Sequence, residues 1–502
     1  MSPRSPLPKV CVALGFTNAS EYLDAVRREV LEGESFFEFR LDYLQDPGEG
    51  VVVIRRLLTE MPEIFILATC RRTGNHGSFA GSIEAQLRIL HAAVDAGAQA
   101  VDVEIESAEL ALAEMAPFRE RAVLVVSYHH FESTPAMQAV MKRVSKVPAD
   151  IYKIVATARK PSDILRVLSC GRGQKTPVIL LSMGEVGMAS RVLAPAFGSA
   201  WTYVSPTDAP GTAPGQISAR QMRHLYRIDK LTKSAKVFGV IADPVRHSMS
   251  PQIHNRALQA RRVDAVYLPF RVDSAHLRDF VQLATALPVA GFSVTIPHKQ
   301  KILRYLDQVE PIARRIGAVN TVWRRGGRWR GTNTDVEGVL KPLGRRMKIP
   351  KSSILIAGNG GAARGAAFAL TDGGAHVSIV GRSAEKVRAL AKLTGAEALG
   401  IEDLKGRKFD ALVHATPLGM YPHGDACFFE DEIPAELVFD MVYNPLETEL
   451  LKRAKAQGLK TIRGVEMFVE QAAQQFELFT GESAPRKLME QAVLEALGAV
   501  VG

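Results

Sequence analysis

The sequence predicts an α/β protein with an N-terminal (β/α)8 barrel, followed by a second α/β region in two subdomains, the later one Rossmann-like. Three observations predict this. Eight short apolar, β-branched runs alternate with helical patterns between Lys9 and about Pro206. A glycine-rich turn, GNGGAARG at 358–365, stands between a strand pattern and a helix pattern. Between these regions, about 236–336 reads as a separate α/β segment. At 502 residues the chain exceeds what one core usually serves.

The barrel strands are expected at 9–16, 36–43, 64–71, 100–105, 121–129, 151–157, 177–184 and 201–206. Helical patterns separate them, such as 82–97, where Gly97 reads as a helix stop. Eight strands alternating with helices favour a closed barrel over a doubly wound sheet. The rival usually opens on a glycine-rich first turn, and GFTN at 15–18 is not one.

Charged residues interrupt these strands. Glu38, Arg40 and Asp42 alternate in the second, Arg71 ends the third, and Asp102 and Glu104 alternate in the fourth. His129 ends the fifth and Lys153 lies within the sixth. In a barrel, the C-terminal strand ends converge on one mouth. Asp42 and Asp102 read equally well as structural ion-pair partners. The set as a whole does not, because buried charge is costly unless paired or used. Desolvation and nearby cations would make a strand lysine nucleophilic toward a carbonyl. A Schiff base makes the neighbouring C–H acidic, and a histidine can remove that proton. The residues alone point to a Schiff-base lyase or an aldolase.

Six pieces in order carry a resemblance across residues 9–220. They are Glu38-Phe39-Arg40-Leu41-Asp42, Ser127-Tyr128-His129, Asp150-Ile151-Tyr152-Lys153-Ile154, Ser190-Arg191, Phe197-Gly198-Ser199-Ala200 and Ala213-Pro214-Gly215-Gln216. This region resembles type I 3-dehydroquinate dehydratases. The resemblance implies dehydration of 3-dehydroquinate to 3-dehydroshikimate. Lys153 would form the imine and His129 would remove the C2 proton. Arg191 would bind the carboxylate; Glu38, Arg40 and Arg71 would hold hydroxyls; the loop with Thr212 and Gln216 would close over the substrate. Thr212 replaces a frequent serine and keeps the hydroxyl. Where many members carry a glutamate that orients the histidine, this chain has Asn75 and His76, which leaves the partner of His129 open.

A short polar stretch near 231–236 reads as the boundary to the second half. There, 353–357 reads as a strand running into the glycine turn. Gly358 would make the turn, Gly360 would admit a pyrophosphate, and Ala363 would pack closely. After the next strand comes Arg382, with Ser383 and Lys386, where an NAD-preferring fold usually has an acid. A guanidinium there suits the phosphate of NADP; read alone, it is equally a solvated turn residue. Upstream, Ser248 and Ser250 precede Pro251 at an expected helix start, which suits a carboxylate. Lys299 and Asp335 read either as a proton-donating ion pair or as a surface lysine and a capping aspartate.

The stretches GVIADPVRHSMSPQIHN, GFSVTIPHK and GAVNTVWRRGGRWRGTNTD, the GNGGAARG loop, and motifs at 415–420, 442–445 and 464–472 together resemble shikimate dehydrogenases. The resemblance implies NADPH-dependent reduction of 3-dehydroshikimate to shikimate by a two-subdomain α/β dehydrogenase with a Rossmann-like NADP-binding domain. Lys299 and Asp335 would be the catalytic pair. Ser248, Ser250, Thr295, Asn320, Tyr443 and Gln471 would contact substrate. Gly358, Asn359, Gly360, Gly361, Ala362, Ala363, Arg382, Ser383, Lys386 and Thr416 would hold the cofactor. Ser293 stands where many members have asparagine, so a polar contact there is expected to differ. Fused dehydratase–dehydrogenases form a family, and the whole chain is similar to them in order. The expected domains are 1–230, 236–336, 337–475 and a C-terminal helical segment at 476–502.

The formal net charge of +10 is spread along the chain without a Lys/Arg run. That suits small anionic substrates (3-dehydroquinate, 3-dehydroshikimate, shikimate) and not a nucleic acid. Four separated cysteines, Cys11, Cys70, Cys170 and Cys427, indicate neither disulfides nor a metal site. No signal-like or membrane-spanning run is found, so a cytoplasmic protein with no membrane partner is expected. Two rivals remain at this stage: a regulatory protein that keeps both folds without turnover, and an enzyme whose second half prefers quinate. Lys153, His129, Lys299 and Asp335 argue against the first; Ser248 and Ser250 argue against the second.

Overall fold

The structure, a computed structural model, describes residues 7–246, 248–420, 424–429 and 431–498. The ends of two expected domains, 1–6 and 499–502, lie outside the described residues, as does His247 within the first dehydrogenase-like stretch. The chain divides into two compact units, one of 1–236 with 270–288 and one of 237–269 with 289–502.

In the first unit, eight strands form one sheet: β1 (Val10–Leu14), β2 (Phe36–Arg40), β3 (Phe65–Thr69), β4 (Ala100–Glu104), β5 (Val123–His130), β6 (Ile151–Thr157), β7 (Val178–Met183) and β8 (Thr202–Val204). Their order is β7-β6-β5-β4-β3-β2-β1-β8, and β1 pairs in parallel with both β2 and β8. A parallel bridge from Val178 to Ser199 brings the remaining edge together, so the sheet is a nearly closed barrel. All eight lie within the expected runs or one residue beyond. The expected runs are longer because their last residues already turn into the mouth loops. Leu41–Tyr43, for example, forms a short 3-10 turn. The helix Ile83–Asp95 starts on a Ser82 side-chain cap, and the chain leaves it through Gly97 at φ +109°.

The second unit carries two sheets. The first holds β9 (Lys236–Ala242), β10 (Ala265–Arg271), β11 (Val289–Val294), β12 (Gln308–Val309), β13 (Thr321–Arg325) and β14 (Arg328–Thr332), ordered β10-β9-β11-β13-β14-β12. The second holds β15 (Ser353–Ala357), β16 (His376–Val380), β17 (Glu397–Leu399), β18 (Phe409–His414), β19 (Ala435–Asp440) and β20 (Lys460–Ile462), all parallel. Its order, β17-β16-β15-β18-β19-β20, is that of a Rossmann fold, with the strand order reversing between β15 and β18. Ile354, Ile356, Ala363, Ala366 and Leu370 pack this sheet against the helix Gly361–Asp372. The helix Gly464–Thr480 runs unbroken through 475, where a domain end is expected; Gly481, at φ +79°, stops it. No helix among the described residues is long and apolar enough to cross a membrane.

Candidate active sites

The barrel interior is built in layers contributed by alternate strands. Glu38 of β2, Asp102 of β4, Lys153 of β6 and Tyr203 of β8 form one such layer. Lys153 Nζ donates to Asp102 Oδ2 at 2.9 Å and Glu38 Oε1 at 3.2 Å, and stands 4.1 Å over the Tyr203 ring. Hydroxyls from the odd strands support the carboxylates. Thr69 Oγ1 donates to Glu38 at 2.9 Å and Ser127 Oγ to Asp102 at 2.6 Å. Lys153 is 4% exposed. The sequence reading expects cations around this amine; its nearest charged neighbours are instead two carboxylates. Burial alone would raise the Asp102 carboxyl, but Lys153 and Arg71 hold it below its ordinary range. Asp102 thereby bears directly on Lys153, a role the sequence left undecided.

Arg71 answers the open question about His129. Its Nη1 lies 3.0 Å from His129 Nε2. A guanidinium only donates, so Nε2 is the acceptor and the ring proton sits on Nδ1. Nδ1 is buried with no partner among the described residues. Burial, then the charges of Arg71, Lys153 and Arg40, push the His129 pKa well below the ordinary histidine value. His76 does not bond the imidazole; its ring lies tilted against Phe131, centroids 4.0 Å apart, and Phe131 in turn stacks on His129.

Arg40 is committed elsewhere, to both oxygens of Asp42 at 2.8 Å. Burial would lower its pKa, but the Asp42 hydrogen bonds and charge raise it. Asp42 is thus a structural partner and Arg40 faces the mouth already neutralised. Arg191, on the helix Gly184–Leu193, is 2% exposed and has no carboxylate partner among the described residues. Its Nη2 donates to Pro214 O at 3.3 Å, its Nε has no partner, and burial pushes its pKa down to about 10. Gln216 Nε2 donates to Thr212 Oγ1 at 3.3 Å, tying together the loop that Arg191 meets through Pro214. Gly215 holds φ +75° there, and a Cβ on it would meet Gly184 O at 2.7 Å, so only glycine lets this loop lie so close.

The second unit has a cavity of about 530 Å³ lined by every expected substrate residue: Ser248, Ser250, Thr295, Asn320, Tyr443 and Gln471. Lys299 and Asp335 line it too, with Ala362 of the glycine turn. Lys299 Nζ meets Asp335 Oδ2 at 2.6 Å, and Asn320 Nδ2 donates to Asp335 Oδ1 at 2.8 Å. The ion-pair reading of this lysine and aspartate therefore replaces the surface-and-cap one. Ser250 N donates to Ser248 Oγ at 3.3 Å where the helix Ser250–Ala260 begins.

Sequence reasoning missed Gln475, one turn after Gln471 on the same helix. Its side chain donates to Asn320 O and Thr321 Oγ1 and accepts from Ser293 Oγ at 2.7 Å. Tyr267 Oη donates to the same serine at 2.7 Å. Ser293 is therefore satisfied inside the protein network. The i, i+4 spacing of Gln471 and Gln475 was the available signal.

Gly358, at φ +131°, turns the chain out of β15; a Cβ there would meet Ala415 O at 2.7 Å. Open space lies where Cβ atoms on Gly360 and Gly361 would stand. The helix Gly361–Asp372 starts at Gly360 without a side-chain cap, and Ala363 is fully buried against the sheet. Uncapped amides at a helix start, opening on clear space, fit a dinucleotide pyrophosphate. Asn359 Nδ2 reaches Ser383 O at 3.4 Å, joining this turn to the one after β16. Arg382 and Lys386 are exposed there, and Arg382 has no hydrogen-bond partner among the described residues, which fits a cofactor phosphate. Thr416 follows β18, its methyl 3.4 Å from where a Gly358 Cβ would stand.

Comparison with known proteins agrees with both halves. Residues 10–233 match the model for type I 3-dehydroquinase, 240–322 that for the shikimate dehydrogenase substrate binding domain, and 464–494 that for the shikimate 5'-dehydrogenase C-terminal domain. The chloroplastic bifunctional 3-dehydroquinate dehydratase/shikimate dehydrogenase of Arabidopsis thaliana is 33% identical over 93% of this chain and 82% of its own length. The NADP(+) shikimate dehydrogenase of Methanosarcina acetivorans is 44% identical over 53% of this chain and 99% of its own. Among solved structures, a chorismate mutase/shikimate 5-dehydrogenase fusion protein from Clostridium acetobutylicum superimposes with a TM-score of 0.50. It is 30% identical and covers 52% of this chain and 98% of its own.

Proposed function

Because the chain belongs to the family of bifunctional 3-dehydroquinate dehydratase/shikimate dehydrogenases, we propose that it converts 3-dehydroquinate to shikimate in two steps, with NADPH as reductant. The observation that carries this reading is the contact of Lys299 with Asp335 in a cavity that also holds Ser248, Ser250 and Ala362 of the glycine turn.

In the barrel, Lys153 gives a proton to the Asp102–Glu38 carboxylates it touches, its neutral Nζ attacks the ketone, and water leaves as the imine forms. His129, neutral and with its lone pair on Nε2, takes the C2 proton once substrate displaces Arg71. The same imidazolium then gives its proton to the departing hydroxyl. Hydrolysis of the imine frees the amine, so the net change is loss of one water. Arg191 holds the carboxylate as its counter-ion, and Thr212 and Gln216 cover the substrate. Glu38, Arg40 and Arg71 contact the hydroxyls.

In the second unit, Ser248 and Ser250 hold the carboxylate, while Thr295, Asn320, Tyr443 and Gln471 set the ring. Lys299 donates a proton to the carbonyl oxygen as it becomes an alcohol, and Asp335 keeps that ammonium aimed. NADPH, when bound, supplies the hydride. Gly358, Asn359, Gly360, Gly361, Ala362 and Ala363 would form its cradle with Thr416 beside them, and Arg382, Ser383 and Lys386 would hold its ribose phosphate. The division at 1–230, 236–336, 337–475 and 476–502 stays part of this proposal. So does the cytoplasm as its place of action.

The test supplies the purified protein with 3-dehydroquinate and NADPH, with NADH as control, and follows loss of reduced nicotinamide. Oxidation of NADPH with little for NADH is expected. No turnover with 3-dehydroquinate or with 3-dehydroshikimate would overturn the reading. Arg382→Ala is expected to raise the KM for NADPH about 10-fold and leave that for NADH nearly unchanged, since it removes one charge-assisted contact. Equal changes for both cofactors would remove Arg382 from phosphate recognition.

The His129 environment predicts a pH profile. A depressed pKa keeps the imidazole basic below the ordinary value of about 6.5. The acid limb of dehydratase kcat/KM, which reports the free enzyme, is therefore expected below pH 6.5. A limb at or above that value in a His129-dependent reaction would contradict the effect assigned to burial and the surrounding cations.

A further inference from the structure

One buried ionisable cluster in the second unit has no part in the chemistry above. His414 ends β18 and Asp440 ends β19, in direct register with each other. On its other side His414 is in register with Ala357, the residue before Gly358. It therefore stands where the strand order reverses, the place where doubly wound sheets bind their ligands. His414 is 1% exposed and Asp440 0%.

The hydrogen bonds run in a line. His414 Nδ1 meets Asp440 Oδ1 at 2.9 Å, and His414 Nε2 meets Thr416 Oγ1 at 2.5 Å. Asp440 also accepts from Val442 N at 3.0 Å and from the Thr448 hydroxyl. A carboxylate with three donors around it is an acceptor only, so the proton between it and the ring sits on Nδ1. In the neutral ring Nε2 then carries a lone pair, and the Thr416 hydroxyl is the donor to it. Leu418 N donates to Thr416 Oγ1 at 3.2 Å. With its hydrogen turned inward and one lone pair filled by Leu418, the hydroxyl has one lone pair left to offer.

We propose that His414, held by Asp440, is a positioning residue for the cofactor: it fixes the Thr416 hydroxyl so that only an acceptor lone pair faces the dinucleotide. The Thr416 methyl already lies against the Gly358 turn, which puts the hydroxyl at the cradle. The group it selects is a hydrogen-bond donor on the dinucleotide, either an amide N–H or a sugar hydroxyl. This inference rests on the dehydrogenase reading given above.

The test is a double-mutant cycle on the dissociation constant of NADPH, read by its fluorescence with the full chain. Thr416→Val removes the hydroxyl. His414→Asn keeps a side-chain N–H near the Nδ1 position for Asp440 but removes Nε2. Each is expected to weaken NADPH binding about 3- to 10-fold, the worth of one ordinary hydrogen bond. The double variant is expected to bind no worse than the weaker single one, because both act on one contact. Additive losses would overturn the proposal, since His414 would then act by general structure. Unchanged binding in His414→Asn, with the wild type binding NADPH, would overturn it too. A wild type that binds no NADPH would sink this inference and the dehydrogenase reading together. A second readout needs no variant: the ¹⁵N NMR signals of the His414 ring in the ligand-free protein. A protonated Nδ1 with an unprotonated Nε2 supports the assignment. Two protonated nitrogens would turn the Thr416 hydrogen outward and overturn it.

Discussion

Lys153→Ala abolishes dehydration of 3-dehydroquinate and leaves reduction of 3-dehydroshikimate intact. The expected fall in dehydratase kcat is at least about 10⁴-fold, because on the proposed mechanism the variant removes the nucleophile itself and not an aid to it. The neighbours cannot substitute. Glu38 and Asp102 are carboxylates, Arg71 only donates, and Tyr203 is a ring beneath the amine. The change also leaves two buried carboxylates with one cation fewer, so some loss of barrel stability accompanies it. Melting temperature and dehydrogenase turnover on the same sample separate the two effects. Borohydride added to the wild type during turnover should trap the imine as a stable mass increase on Lys153, and the variant should show none.

Lys299→Ala does the reverse. The dehydratase persists, and the kcat for reduction of 3-dehydroshikimate falls about 10²- to 10⁴-fold, the range for a positioned proton donor. Asn320 still holds Asp335, so the cavity keeps its shape and the loss should lie in kcat more than in KM. If either lysine variant lost both activities while still folded, independent sites would be ruled out.

Much of this was legible before any coordinates. The eight barrel strands show because each is a short β-branched run, and parallel strands buried on both faces leave such a signature. Lys153 and His129 show because charge in such a run demands a reason. Asp102 remained ambiguous because what it touches depends on the barrel's layering. It meets a lysine two strands away and 51 residues later, a distance in sequence that no local pattern encodes. Arg40 and Arg71 look alike as strand-end arginines, yet one is locked to Asp42 and the other reaches His129. Only the rotamers tell them apart. In the second half, Gln475 went unread because its partners, Ser293, Asn320 and Thr321, lie on the adjoining sheet. The His414–Asp440 pair was hidden for the same reason: the two residues lie 26 apart in sequence and meet only through the register of β18 on β19.

Arg191 has a further consequence, for the protein's lifetime. A guanidinium held at 2% exposure without a counter-ion destabilises the ligand-free barrel. A carboxylate ligand bound there, as proposed, would stabilise the fold by about 2.7 kcal/mol at a hundredfold excess over its dissociation constant, relief of that penalty included. Supply of substrate and stability of the barrel would thereby be coupled. Melting temperature measured with and without a carboxylate ligand checks this, and a rise with ligand is the expected result.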